Sequence, residues 1–152
     1  MTDEALAFWQ NFLRKTGRPA DTVPYEVFHF CMTEELANSL LQLVLTEKKT
    51  ATTSSLPLYE AAGQRQPRPG DLSVVTDWAG TPHCVIETTA VCIMPFREMT
   101  FEICKREGED DTLESWQQGH ARFFTEEGAQ AGYVFSPEMP IIFEDFKVVY
   151  RR

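Results

Sequence analysis

Two lysines followed by a run of hydroxyl side chains are the residues of this chain best suited to chemistry. Lys48 and Lys49 come directly before a segment, from Thr50 to Ser55, in which five of six residues carry a hydroxyl group. A lysine whose pKa is lowered by burial or by a neighbouring cation can act as a base toward a nearby hydroxyl, here that of Thr52. The same residues could hold a phosphate. The alternative is a solvated helix end followed by a polar loop.

An acidic segment further along the chain supplies carboxylates that could complete such a site. It reads Glu-Gly-Glu-Asp-Asp from Glu107 to Asp111. Asp111 is a suitable N-cap for the helix that follows, and Glu114 completes a capping box. Glu107 and Glu109 lie before that helix, where either carboxylate could pair with the lysine or act as a general acid. A divalent metal is a weaker alternative, because the spacing matches no calcium loop.

The helix after the acidic segment is expected to carry an aromatic face. Trp116 and His120 lie on this face at helical spacing. Either His120 faces a ligand, or it is a satisfied histidine at the edge of the core. The histidines and cysteines show no metal-like spacing, and no nucleotide-binding or zinc-hydrolase motif is present. The sequence therefore predicts neither a metal nor a cofactor.

Hydrophobic periodicity predicts the elements that position these residues. Helices are expected over residues 5–13, 33–46 and 113–124, and strands over 72–78, 84–94 and 141–150. Lys48 and Lys49 are placed in the last turn of the second helix, Gly17 ends the first, and residues 53–70 are expected to form a long loop. The strand at 84–94 is apolar on both faces, which favours a central position. Helices and strands without a βαβ repeat predict an α+β fold with a mostly antiparallel sheet or small barrel.

Size and charge limit the possible partners. A chain of 152 residues is expected to form one domain. Its net charge of −9 disfavours binding of nucleic acid over a large part of the surface, and no DNA partner is expected. An acidic N-terminus, four cysteines without CxxC spacing and no long apolar run predict a cytoplasmic protein without a membrane partner. The oligomeric state is not indicated.

In their order along the chain, these segments resemble the ASCH domain, a family of the PUA-like superfamily of small β-barrels. The segments that match are Leu43–Thr52, the Pro69-Gly70-Asp71 strand opening, Glu107–Asp111, the helix with Leu113, Trp116, His120 and Phe124, and the closing strand Phe146–Tyr150. The resemblance covers about residues 25–150. It implies a single domain over 1–152, with residues 1–24 as an N-terminal helical extension. Three positions depart from the family pattern: Glu47 replaces a usual glycine, Phe28-His29-Phe30 replaces Phe-Gly-Asp, and Cys104 replaces alanine.

The resemblance implies a PUA-like, mostly antiparallel β-barrel with surrounding helices, and it suggests an activity. Some small bacterial members resemble this chain at the lysine, threonine and glutamate, and they remove the acetyl group from acetylcytidine. By position, this implies Thr52 as nucleophile and Lys49 as its base. Glu107 would tune the lysine or protonate the leaving amine.

The residues around this trio are expected to contact the substrate. They are Lys48, Thr50, Ser54, Glu109, Trp116 and His120. The leading hypothesis is therefore a hydrolase that deacetylates a modified pyrimidine nucleoside. One alternative is a non-enzymatic module for RNA or a modified nucleotide, in which Lys48, Lys49 and Arg65 or Arg68 contact phosphate and Trp78 or Trp116 stacks on a base. A metal-independent ribonuclease is the other. The expected partner is thus a nucleoside or RNA.

Overall fold

The structure is a computed structural model that describes all 152 residues. It contains five helices, five strands and two short 3-10 turns at Phe96–Glu98 and Lys105–Glu107. In chain order the elements are α1 (Asp3–Thr16), β1 (Glu26–Phe28), α2 (Glu34–Leu45), β2 (Ala51–Ser55), α3 (Leu56–Ala62), β3 (Leu72–Thr76), β4 (Pro82–Pro95), α4 (Phe101–Cys104), α5 (Leu113–Ala131) and β5 (Pro140–Arg151). No helix is both long and apolar enough to cross a bilayer.

All strands belong to one curled sheet that forms an open half-barrel. The strand order is β1-β3-β4-β5-β2. Only β1 and β3 run parallel, and the other neighbours are antiparallel. The α+β class and the mostly antiparallel sheet predicted from the sequence are confirmed. The predicted central strand is also confirmed, since β4 lies between β3 and β5.

Helices cover both faces of the sheet because side chains alternate along each strand. Val74 of β3 packs with Phe12 of α1 in one core cluster, whereas its neighbour Val75 packs with Val44 of α2 in another. A third cluster joins α5 to the other end of β5, where Trp116 packs with Phe143. The helix that precedes residue 25 is therefore part of the packed structure, covering one face of the sheet.

The predicted loop over residues 53–70 is wrong. Ala51–Ser55 forms β2, and Leu56–Ala62 forms α3. The hydroxyl-rich segment becomes a strand because it pairs along its whole length with Ile141–Asp145 of β5. Its end residues, Ala51 and Ser55, are fully buried. Pairing with a distant strand, not local propensity, decides its structure.

Smaller predictions about the ends of the helices and the segments between them also need correction. The second helix ends at Leu45, so Lys48 and Lys49 lie after it and not in its last turn. The last helix continues to Ala131, and its N-cap is Thr112, whose side chain accepts a hydrogen bond from Ser115 N. Asp111 is therefore not the cap. The segment between α1 and α2, for which the sequence indicates no element, contains the short strand β1.

Candidate functional site

A tight turn after α2 directs Lys49 into the interior. The backbone N–H groups of Lys48 and Lys49 both donate to the carbonyl of Leu43, at 2.9 and 3.0 Å. Glu47 has a φ of +60°, in the left-handed region that favours glycine. The residue that replaces the family's usual glycine thus keeps the backbone conformation that glycine would adopt. The glutamate does not divert the chain away from Lys49.

A second turn brings the acidic segment against the same backbone. The backbone N–H of Thr50 donates to Arg106 O at 2.9 Å, and Thr50 Oγ1 donates to the same carbonyl at 3.2 Å. Gly108, with a φ of +71°, passes so close that an added Cβ would lie 2.2 Å from Lys48 O. Only glycine fits this approach without a backbone shift. The contact places Glu107 and Glu109 on either side of the lysine side chain.

The Lys49 side chain is buried among acceptors. The residue is only 2% exposed. Its Nζ donates to Glu109 Oε2 at 2.6 Å and to Ala51 O at 2.8 Å, and it lies 3.6 Å from Glu107 Oε1. The Phe30 ring covers it, with its centroid 5.4 Å from Nζ. These are the contacts of an ammonium group, which carries three donors and no acceptor.

Glu107 is buried and held by donors on several sides. One of its oxygens accepts hydrogen bonds from Trp116 Nε1 and from Thr53 Oγ1, the latter at 3.1 Å. His120 Nε2 lies 3.7 Å from the other oxygen. Burial alone would raise the pKa of Glu107, but contacts with His120, Lys49 and Trp116 outweigh burial and lower this pKa to about 2. Glu107 is therefore an anion at neutral pH.

His120 is fixed by its own helix. Its ring stacks on that of Trp116, with centroids 4.2 Å apart and 18° between the planes, and Nδ1 donates to Trp116 O at 2.9 Å. Burial lowers the pKa of His120, but the Glu107 carboxylate outweighs it and the net shift is upward. The remaining ring nitrogen faces Glu107, so His120 and Lys49 approach this carboxylate from two directions.

These groups lie at one end of a cleft of about 710 Å³. A cleft of this volume falls in the range of small-molecule sites. One wall is apolar and comes from the segment before α2 and from α2 itself; its residues are Phe28, Phe30, Met32, Leu36, Leu40 and Leu43. The facing wall is polar and includes the β2 residues Thr52, Thr53 and Ser54. The arrangement suits a ligand with one flat apolar face and several hydrogen-bonding groups.

Six of the nine residues that the sequence suggested for the site line this cleft. They are Lys49, Thr52, Ser54, Glu107, Glu109 and His120. Lys49 Nζ makes no hydrogen bond to Thr52. Among the suggested residues, its hydrogen-bond partner is Glu109. Glu109, expected to contact the substrate, thus contacts the lysine.

The other three suggested residues have different positions. Lys48 is exposed outside the cleft, and Thr50 fastens β2 to Arg106. Trp116 has no exposed surface, so it cannot stack on a base; it holds Glu107 instead. Of the arginines considered as phosphate contacts, Arg65 is paired with Asp71, and neither Arg65 nor Arg68 lines the cleft.

Two functional candidates were missed by sequence reasoning, Glu26 and Glu144, which also line the cleft. Burial raises the pKa of each to about 7. Glu144 and Asp145 interrupt the apolar stretch from Ile141 to Phe146, and acids within an otherwise apolar strand are the signal that could have identified Glu144. Glu26 gives no comparable signal. No three His, Cys, Asp or Glu side chains come together as a metal-binding group.

Comparison with known proteins identifies the family. The family model described as ASCH domain matches residues 26–150. This chain belongs to the ASCH domain family. The matched region includes both turns that build the Lys49 cluster, whereas α1 precedes it.

Two solved structures are similar to this ASCH domain over nearly its whole length. A protein from Enterococcus faecalis V583, described by the family model DUF984, is 36% identical with a TM-score of 0.92, and the match covers 99% of this chain and 91% of that one. An ASCH domain from Lactobacillus crispatus JV V101 is 32% identical with a TM-score of 0.91, covering 99% and 97%. These matches agree with the PUA-like fold. No match is found among curated proteins.

Proposed function

We propose that this ASCH domain is a hydrolase that cleaves an exocyclic amide of a modified pyrimidine nucleoside, with acetylcytidine as the favoured substrate. The observation that carries the proposal is a buried lysine between two carboxylates, beside a strand of hydroxyl groups at the end of a cleft. Burying charges is costly, and a cluster with strongly shifted pKa values in a cleft is typical of a catalytic site. The apolar wall would hold the flat base.

The two carboxylates differ in what they can do. Glu107 holds its charge at neutral pH because its pKa is about 2, so it serves as an anchor for Lys49 and not as an acid. The side chain of Glu109 is 24% exposed, and its hydrogen bond to Lys49 provides a direct path for a proton. We therefore assign the acid–base role to Glu109. The resemblance implied that Glu107 would tune the lysine or protonate the leaving amine, and the second of these roles now goes to Glu109.

A balanced reaction follows from these roles. Lys49 passes a proton to Glu109, rotates its terminal amine toward Thr52 and takes the hydroxyl proton. The Thr52 oxygen forms a bond to the acetyl carbon, and the bond from that carbon to the exocyclic nitrogen breaks. Glu109 returns its proton to this nitrogen, which releases cytidine. Water then hydrolyses the acetyl ester of Thr52, giving acetate, the free hydroxyl group and a proton that is released to solvent.

A non-enzymatic module that binds RNA is a second candidate. The observation in its favour is Trp78, which is exposed and packs against His29, with ring centroids 4.8 Å apart and 53° between the ring planes. His29 lines the cleft, so this pair could extend a stacking surface at its edge. The buried lysine cluster has no task in this alternative, because its charge is already paired.

Acetate release from acetylcytidine tests the proposal. The wild-type protein should turn over, and Lys49→Met and Glu109→Gln should each reduce kcat by about a hundredfold or more. Glu126→Gln is the matched control, since Glu126 lines the cleft but contacts neither Lys49 nor Glu107. Absence of turnover in the wild-type protein would reject the hydrolase. Salt-sensitive RNA binding by the same sample would favour the second candidate.

A further inference from the structure

The cleft continues beyond the lysine cluster to a second pair of carboxyl groups. Glu26 of β1 and Glu144 of β5 line it together with Ser54 and Tyr59. Glu144 lies directly opposite Thr52 in the antiparallel register of β2 and β5. Side chains at such paired positions share one face of the sheet and lie about 5 Å apart at Cβ. A ligand bound at the Thr52 hydroxyl therefore lies close to the Glu144 side chain.

Neither of these carboxyl groups is paired with a cation. No salt bridge and no hydrogen bond within the protein stabilises the charged form of either group. Burial is the main cause of the raised pKa in both, and the charge of Asp71 adds to it, with Glu26 also acting on Glu144. Half-buried carboxylates without partners are costly, and a ligand that donates hydrogen bonds could compensate for them.

Few groups in the cleft could hold a phosphate. Seven acidic residues line it, against the basic residues Lys49, Arg122, His29 and His120. His120 faces Glu107. The lysine is already bonded to Glu109 and faces Glu107. Arg122 is exposed on α5. Sites for phosphate usually offer unpaired lysine or arginine side chains or helix N-termini. This cleft offers Arg122 and the start of α2 at Thr33, and its acidic residues outnumber these groups.

We propose that Glu26 and Glu144 determine specificity by repelling phosphate and accepting hydrogen bonds, so that the cleft takes uncharged nucleosides and rejects the corresponding nucleotides. This inference rests on the proposed function, because it concerns the ligand of the same site. In their ionised form the two carboxyl groups repel a phosphate dianion, and five further acidic residues of the cleft add to this repulsion. The filter acts on binding, before any bond is broken, and can therefore be measured without turnover.

Calorimetric titration with cytidine and with cytidine 5′-monophosphate provides the test. The wild-type protein should bind the nucleoside at least about tenfold more tightly than the nucleotide, from the interaction of charges at this range in a partly buried site. The double variant Glu26→Gln/Glu144→Gln should reduce that ratio by about tenfold. The double variant Glu35→Gln/Glu60→Gln removes two carboxyl groups from exposed positions outside the cleft and should leave the ratio unchanged.

Each outcome of the titration bears on the inference. An unchanged ratio in Glu26→Gln/Glu144→Gln, an equal reduction in both double variants, or a wild-type protein that binds neither compound would overturn it. Folding should not obscure the result, because glutamine replaces carboxyl groups that have no partner to lose. Nucleoside binding with the expected ratio, but without acetate release from acetylcytidine, would keep the filter and reject the hydrolase. Turnover of acetylcytidine, with a ratio that Glu26→Gln/Glu144→Gln leaves unchanged, would keep the hydrolase and reject the filter.

Discussion

A Cβ atom placed on Gly108 would lie 2.2 Å from the carbonyl oxygen of Lys48. This close approach of two backbone segments is what brings Glu107 and Glu109 to Lys49, although they are about sixty residues away along the chain. The turn and the lysine cluster therefore form one unit. A change that separates the two backbones should affect both stability and activity.

Gly108→Ala should lower the free energy of unfolding by about 3 kcal/mol, because the new Cβ meets backbone and the residue has a positive φ. Acetate release should fall with it, since the two carboxylates would shift away from Lys49. Urea unfolding followed by circular dichroism measures the first effect. Gly119→Ala is the control: it lies in α5, has no atom within 4 Å of an added Cβ and should be neutral or slightly stabilising. Equal stability of the two variants would contradict the interpretation.

Replacement of Glu47 by glycine should increase the stability of the protein. The φ of +60° at Glu47 places a residue with a side chain in the left-handed region, at a cost of about 1 kcal/mol. Glu47→Gly should recover this amount in urea unfolding. Its contact with Arg151, at 3.8 Å on the surface, contributes little. Glu47→Ala removes the same contact but keeps the strain, so a gain in both variants would show that φ is not the cause.

The buried Glu107 predicts a specific pH dependence of stability. Its pKa falls from 4.5 to about 2 on folding. A lowered folded-state pKa stabilises the protein above the unfolded value, so the contribution is complete above about pH 4.5 and is lost as the pH falls toward 2. Glu107→Gln should therefore cost about 3 kcal/mol at pH 7, and less as the pH drops below 4.5.

Unfolding of wild type and Glu107→Gln at several pH values checks this prediction. Glu102→Gln serves as the control, because Glu102 is exposed and pairs only with Lys105 on the surface. This control should differ little from wild type throughout. A Glu107→Gln deficit that stays constant from pH 7 to pH 3 would mean that packing, and not the carboxylate charge, accounts for the loss.

The sequence predicts most of the fold from local signals. Apolar spacing locates α1 and α5, and alternation locates β3, β4 and β5, because these elements bury one or both faces. It fails at β2, where five mostly hydroxyl-bearing residues become a strand only through pairing with β5, about ninety residues away. It also misjudges helix ends, which depend on capping contacts such as that of Thr112.

The candidate site is only partly accessible from the sequence. The residue types around Lys49 indicate chemistry, and the resemblance to the ASCH domain brings the acidic segment to it. Which carboxylate contacts the lysine depends on the path of the Gly108 turn. The sequence indicates that Trp116 could stack on a base. Helical spacing does not reveal that its ring is fully buried and donates a hydrogen bond to Glu107. Glu26 and Glu144 meet only through sheet topology, since they come from different strands.

The most direct test of the central claim compares hydroxyl groups on β2 during turnover of acetylcytidine. Thr52→Ala should abolish acetate release, and Thr52→Ser should retain part of it. Thr53→Ala should be less stable, because Thr53 donates a hydrogen bond to Glu107, but it should still release acetate. Protein quenched in acid during turnover should carry an acetyl group on the peptide that contains Thr52. Full activity of Thr52→Ala, or no acetate release by the wild-type protein, would contradict the assignment.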